Sequence, residues 1–300
     1  MAPIILFGFN RAASLRRAAE ALSGNAEASS SDLYVFVDGP RADKPGEASK
    51  VEAVRSCART IGGFRSVTCT FAERNRGLAP SIISGVTQVM NAHGRAIVVE
   101  DDLVVSRSFL RYMNEMLDKY ENDDRIMQVT GFGCKIKKPE DYPWDVYLNE
   151  RSHSWSWATW KERWDTVDWE VKDFAQLKNS LKGQLAFCKR GSDLYKMLKD
   201  YMEGKNSSWY IRFNYSMYKQ HRYAVCPIRS LVQNEGFTSD ATNCNAYNRY
   251  KVDFEESHEG SFSAPERLEP VERIMRQAVK YWTIRYRIYG KLMTLIHKTK

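Results

Sequence analysis

Three adjacent carboxylates, Glu100, Asp101 and Asp102, close the apolar run 96–99 in the stretch RAIVVEDDLVV. A core strand that ends in clustered like charge is costly unless a cation neutralises it, because each desolvated carboxylate otherwise takes up a proton. A divalent metal is one answer. So few hard oxygen ligands suit Mn2+ or Mg2+ bridged to a substrate phosphate better than a closed protein cage. Alternate residues of an extended segment face opposite sides, which puts Glu100 and Asp102 on one face and Asp101 on the other. A solvated loop would carry the same acids, so the reading depends on what the chain places beside them.

The elements that must position them follow from periodicity. The first half reads as strand 3–9, helix 12–22, strand 33–37, helix 46–61, strand 66–72, helix 80–92, strand 96–99 and helix 108–122. Such alternation predicts an α/β fold with a parallel, doubly wound central sheet flanked by helices, and ligands of these sheets collect at the carboxyl ends of the strands. Phe9-Asn10-Arg11, Asp38-Gly39-Pro40-Arg41, residues 73–78 and Glu100-Asp101-Asp102 all fall at those ends. Four separately weak signals thus become one candidate site. The second half is less regular: a strand over 124–130, five tryptophans between Trp155 and Trp169, a helical segment 174–201, a turn 206–209 leading into a helix through Lys219, a strand 224–227, a Gly-bearing loop 230–244 and a flexible surface loop 245–263. Most of the tryptophans read as packing in a helical core. Several large aromatics near glycine and polar residues also suit a sugar-binding floor.

Composition narrows the function classes. The six cysteines lack CxxC spacing and sit in strand-like or helix-like contexts, as reduced thiols of a cytoplasmic protein would. Residues 1–9 show no basic n-region with a long apolar stretch, and nowhere do eighteen apolar residues run together, which disfavours secretion and a spanning helix. The net charge of +8 is concentrated: residues 271–300 hold eight Lys/Arg against the single acid Glu272, leaving the body nearly neutral. A nucleic-acid partner would need a basic surface in the body, and none is evident. The basic residues of 263–300 interleave with Tyr281, Trp282, Ile284, Ile288, Leu292 and Leu295, which predicts an amphipathic helical tail lying on anionic lipid. A helix packed on the domain with a solvated basic face is the alternative.

Assembled, the segments PIILFGFNRAASL, VFVDGPR, NRGL, VVEDDL, SWSWATWKERW, SSWYIRFNY and SLVQNEGFTSDATNC span residues 3–244. Together they resemble nucleotide-sugar-dependent glycosyltransferases of the GT-A fold, in the bacterial family-2-like group of polysaccharide enzymes, with likeness to the N-acetylglucosaminyltransferase I type. The resemblance implies a glycosyltransferase domain over 1–262, with a nucleotide-binding half 1–130 and an acceptor-binding half 131–262, followed by the basic tail 263–300. It further implies that Phe9, Asn10 and Arg11 border the nucleobase and ribose, that Asp38 accepts the N3–H of uracil, and that Arg41 lies near the phosphates. Asn75 and Gly77 would line the nucleotide, Glu100 would help bind the nucleotide sugar, Asp101 would face ribose or sugar hydroxyls, and Asp102 would hold Mn2+ or Mg2+. Trp155, Trp157, Trp209 and Arg212 would bind sugar or acceptor.

The implied reaction moves a hexose or N-acetylhexosamine from a UDP-sugar to a hydroxyl of a lipid-linked or oligosaccharide acceptor, with inversion, at the inner face of the cell membrane. Inversion needs a carboxylate base. The family type can carry it in a Trp-Asp segment that aligns with Ser208-Trp209-Tyr210, where this chain has no acid. Glu235, Asp240 and, behind them, Glu150 are the substitutes. Many relatives carry His where this chain has Asn243, which leaves the metal to Asp102, phosphate and water. Of the five histidines, His153 lies beside the tryptophan block. The rival readings are a non-catalytic nucleotide- or glycan-binding protein and a sugar-nucleotide nucleotidyltransferase. The latter needs a glycine-rich basic N-terminal loop that 7–17 lacks.

Overall fold

The computed structural model describes residues 1–236, 250 and 252–298. Four strands, β1 (Ile4–Gly8), β2 (Asp32–Val37), β3 (Ser66–Phe71) and β4 (Arg95–Glu100), lie in the parallel order β3-β2-β1-β4. Between them run helices α1 (Ala12–Ser23), α2 (Glu47–Arg59) and α3 (Leu78–His93). Each helix buries one stripe: α1 turns Leu15, Ala18, Ala19 and Leu22 inward, the i, i+3, i+4, i+7 spacing of an amphipathic helix. Strand β1 is buried along its whole length, as the interior of a parallel sheet requires.

The sheet then changes character. After the short strand β5 (Leu103–Val105) and helix α4 (Phe109–Lys119) come β6 (Ile126–Thr130), β7 (Val146–Asn149) and β8 (Trp157–Trp160). Strand β8 inserts antiparallel between β4 and β6, and β9 (Tyr223–Pro227) and β7 complete eight strands in the order β3-β2-β1-β4-β8-β6-β9-β7. A three-residue strand β10 (Val232–Asn234) pairs with β5 in a separate ribbon. The expected α/β class, a mostly parallel sheet flanked by helices, is what the chain adopts, with β8 and β7 as antiparallel members. The two halves share one sheet and one core, because β8 of the second half lies between two strands of the first.

Several second-half expectations are corrected. Within the tryptophan block Trp157–Trp160 make a strand while Trp164 is helical; WATW is buried on both faces and so lacks the polar alternation that marks a strand. The single helical segment 174–201 is three helices, α6 (Phe174–Lys178), α7 (Leu181–Cys188) and α8 (Leu194–Met202), which follow the short α5 (Lys161–Asp165). Ser180 restarts the chain by accepting from the Gly183 N–H, and Gly191 separates α7 from α8. With α9 (Trp209–Lys219) these helices enclose a second small core of Val171, Leu177, Phe187, Leu194, Leu198, Ile211 and Tyr215.

Residues 252–263 are not a free loop. The His258 carbonyl accepts from Ser108 and Arg111, and Phe262 is buried against Tyr112. Past residue 263, Leu268, Ile274, Ala278, Tyr281 and Trp282 belong to the main core, including helix α10 (Glu272–Val279). Helix α11 (Ile284–Lys298), by contrast, leaves large apolar side chains exposed, as α7 does at Leu181 and Leu185. Among the described residues no helix is long and apolar enough to cross a membrane. Cys57, Cys69, Cys134, Cys188 and Cys226 are free thiols, and Cys244 lies outside the described residues.

Candidate active site

Parallel strands deliver their carboxyl ends to one edge, and there a cavity of about 890 Å3 opens. Its first half is built from the turns after β1 to β4; its second half from Phe132, the segment before β8, and parts of α8, α9 and residue 282. The antiparallel pairing of Trp157 with Val98 explains the junction: residues before β8 emerge at the same edge as the end of β4. Helices α1 and α3 both begin at this edge, and helix N-termini favour anionic groups.

The three acids of β4 do not act alike. Asp101 is buried, pairs with Arg11, and keeps one oxygen without a partner among the described residues. Arg11 also reaches Asp102, with Nη2 3.3 Å from Oδ2. Burial works against the Arg11 charge, but the two carboxylates outweigh it and hold its pKa above the usual value. Burial, then repulsion from Asp102 and Asp101, pushes Glu100 up to about 8. Burial likewise raises Asp101 to about 6 despite Arg11. One guanidinium against three carboxylates leaves the end of β4 short of positive charge. That shortage, with the orphaned Asp101 oxygen, is what a divalent cation would correct, so the residues fit the expected Mn2+ or Mg2+. Among the described residues no group of three His, Cys, Asp or Glu forms a cage. Asp102 would therefore share an ion with oxygens from a ligand. Its place is fixed by the residue after β10, since the Glu235 N–H donates to the Asp102 carbonyl at 2.9 Å. Gly236 lies so close that a Cβ would stand 2.3 Å from Asp102 Oδ2.

The nucleotide-side residues do assemble, with altered parts. Asp38, expected to accept from a base, instead takes two donors on each oxygen: the Gly39 and Arg76 N–H groups at 2.9 Å on Oδ1, the Gly77 N–H at 3.0 Å and Asn75 Nδ2 at 3.1 Å on Oδ2. A carboxylate offers about four acceptor positions, so Asp38 staples the loops after β2 and β3 and has none to spare. Gly77, at φ +83, gives the left-handed backbone this crossing requires. Arg41 is likewise committed. Glu47, buried at the start of α2, accepts from the Arg41 N–H at 2.8 Å, from its guanidinium, and from Asn10 Nδ2 at 3.2 Å. The Arg41 hydrogen bonds, above all, hold the Glu47 carboxyl down at about 2. Arg41 in turn lies 5.4 Å over the Phe9 ring. Arg76 lines the cavity, and its guanidinium forms no ion pair among the described residues.

The second half is aromatic. Trp155 meets Phe132 and Tyr250, and Trp282 meets Tyr250 and His153, all with ring centroids within 6 Å. Behind them Arg151, 2% exposed, forms a two-pronged pair with Asp193 at 2.9 Å on each arm, donates from Nε to the Tyr210 hydroxyl at 2.9 Å, and lies 4.5 Å over Trp282. Burial would raise the Asp193 pKa, but Arg151 outweighs it and holds the carboxyl below its usual range. Burial, then Arg151, drives His153 down to about 3, so its ring is neutral.

Of the acceptor residues expected from sequence, Trp155 and Trp209 line the cavity. Trp157 is wholly buried, stacked between Trp164 and Trp209, and Arg212 lies away from the cavity over Trp169 and Tyr201. Neither described base candidate lines it: Glu235 pairs with Arg17 at 3.0 Å and Glu150 with Arg190 at 2.7 Å. Asp240 lies outside the described residues. Glu47, Arg151, Asp193, Tyr210, Tyr250 and Trp282 were not expected, because a charge or ring distant in sequence carries no local sign of its partner.

No family model matches the chain, and no curated protein matches it. Among solved structures it is similar to residues 1–349 of TarS from S. aureus, at 10% identity over 79% of this chain and 61% of that one, with a TM-score of 0.44. It covers only 23% of a longer TarS chain. It is also similar to glucosyl-3-phosphoglycerate synthase from Mycobacterium tuberculosis, in a complex with Mn2+, UDP and glucosyl-3-phosphoglycerate, at 13% identity, 44% of this chain, 43% of that one and a TM-score of 0.32. A cytidylyltransferase from Leptospira borgpetersenii matches at 12% identity over 57% of this chain and 65% of that one, with a TM-score of 0.36.

Proposed function

We propose that the chain is a metal-dependent glycosyltransferase that moves a hexosyl or N-acetylhexosaminyl group from a UDP-sugar to a glycan hydroxyl. One observation carries the reading. A single cavity joins the under-neutralised acids at the end of β4, at the edge of parallel strand ends, to an aromatic chamber in which, among the described residues, Arg151 and Asp193 neutralise each other. Donor and acceptor then have separate walls and a shared middle. Arg76, the N-termini of α1 and α3, and the Phe9–Arg41 stack would receive the nucleoside diphosphate, while Glu47 keeps Arg41 and Asn10 in place. Asp102 would hold Mn2+ or Mg2+, which when bound offsets charge on the leaving diphosphate. Trp155, Tyr250 and Trp282 would take the faces of a sugar ring, and Arg151 with Asp193 would brace them.

The acceptor proton needs a base. Glu235 and Glu150 are committed to arginines, which leaves Asp240 for that part and, with it, inversion. The likeness to the N-acetylglucosaminyltransferase I type rests on the sequence motifs. A lipid-linked acceptor in cell-surface polysaccharide synthesis, with the protein peripheral on the membrane, is favoured by the exposed apolar side chains of α11.

Calorimetry with UDP, with and without Mn2+, and UDP release from a set of UDP-sugars test the proposal. Asp102→Asn is expected to abolish the gain in UDP affinity that Mn2+ brings and to slow UDP release about 10²–10³-fold, as loss of a group facing developing charge does. Full turnover in that variant would overturn the reading, and tight UDP binding without turnover on any acceptor would favour a binding protein.

A further inference from the structure

Helix α11 presents its apolar side outward. Ile284, Ile288, Leu292 and Leu295 follow one another at spacings of four, four and three, which places them on one face, and they are 62%, 54%, 54% and 64% exposed. Arg285 and Lys291 are exposed beside them, and no acidic residue occurs anywhere in 284–300. An amphipathic helix of a folded domain turns such a face inward. Here Gly290 is buried and Tyr286 packs on the core, while the side chains of Ile284, Ile288, Leu292 and Leu295 are exposed. The uniform positive charge matches anionic headgroups and repels a second copy of the same helix.

The start of this helix is fastened to the aromatic chamber. Trp282, two residues before it, lines the cavity with its ring 4.5 Å from the Arg151 guanidinium. The Trp282 carbonyl accepts from the Ser192 N–H at 3.1 Å and from its hydroxyl at 2.8 Å. Arg287, on the first turn of α11, donates to the Ser192 carbonyl at 3.2 Å and to its hydroxyl oxygen at 3.3 Å. The next residue is Asp193, the partner of Arg151. Chamber wall and outward-facing helix are one connected piece.

We propose that α11 docks on an anionic bilayer and, resting on the transferase reading above, that it seats the mouth of the aromatic chamber at the lipid surface, so that the acceptor is an amphiphile with its glycan in the chamber and its chain in the membrane. The full chain is sedimented with vesicles of phosphatidylcholine alone and of phosphatidylcholine with phosphatidylglycerol in about equal parts. The wild type is expected to pellet with the anionic vesicles only, and Ile288→Glu/Leu292→Glu to bind them about tenfold more weakly or worse. UDP affinity of that variant should stay at the wild-type value, which shows that it folds. Amide exchange at 190–193 and 282–287 should slow when anionic vesicles are added. Equal pelleting of variant and wild type, equal pelleting with both vesicles, or a concentration-dependent dimer abolished by the two substitutions without vesicle binding would overturn the docking. Unchanged exchange at 190–193 with vesicle binding intact would overturn its link to the chamber. Vesicle binding without UDP binding would leave the docking standing and remove the transferase reading.

Discussion

The Arg151–Asp193 pair gives a sharp stability test. Both side chains are buried, the two arms are each 2.9 Å long, and the guanidinium is otherwise held by the Tyr210 hydroxyl, the Arg190 carbonyl at 3.4 Å and the Trp282 ring. Asp193→Asn keeps the shape but removes the charge and turns an amide donor toward one arm of Arg151. Breaking a buried pair from one side costs about 3–5 kcal/mol, because the remaining charge is left desolvated. Unfolding entropy of about 2.1 cal/mol/K per residue gives about 0.6 kcal/mol/K for 300 residues. The melting temperature should therefore fall by about 5–8 °C, read by circular dichroism at fixed pH and salt. Arg151→Met/Asp193→Leu should recover most of the loss, since a buried pair replaced by apolar groups is often neutral. A fall below about 1 °C for Asp193→Asn, or a double variant no more stable than the single one, would mean that water reaches the guanidinium and that the brace behind the aromatic chamber is wrongly described.

Three further outcomes are expected. Glu47→Gln should weaken UDP binding by about tenfold in calorimetry while leaving turnover at saturating donor nearly unchanged, because a charged hydrogen bond worth about 1.5–3 kcal/mol orients Arg41 and Asn10 without touching the reacting atoms. Glu235→Gln and Glu150→Gln should leave UDP release within about threefold of wild type, because neither side chain lines the cavity; a hundredfold loss in either would restore it as the base. His153 has its pKa lowered from the ordinary 6.5 to about 3, so the folded protein binds fewer protons than the unfolded chain between those values. Stability is full above pH 6.5 and declines as pH falls through that window, by up to about 1.4 kcal/mol per pH unit from this group. His153→Gln should flatten the part between pH 6.5 and 5 in denaturant titrations.

What the sequence made legible was set by local order. Strands β1, β2 and β4 are continuous apolar runs followed by polar turns, and helix α1 repeats its small apolar residues at helical spacing, so the strand-end edge with Arg11, Asp38 and the acids of β4 could be located before any coordinates. The same cues misled where burial is two-sided. WATW reads like helical packing because both of its faces are covered, and β5, β7 and β10 are three or four residues long, too short for a period to show. The chemistry of single residues was the least legible part. Asp38 and Arg41 have the right types for a ligand, yet Asn75 and Gly77 turn Asp38 into scaffold, and Glu47 fixes where Arg41 can reach. Arg151 and Asp193 are forty-two positions apart, and nothing in either neighbourhood announces the other.

The insertion of β8 between β4 and β6 separates two kinds of tolerance to change. Residues 131–145 leave the sheet after β6 and rejoin it only at Val146 in β7, so an added or lost residue there is absorbed outside the ladder. A one-residue change inside β4 would reverse every side chain beyond it and carry Asp102 off the cavity. One rim is thus free to be rewritten over evolutionary time, while the opposite rim is held still by the geometry of its own hydrogen bonds.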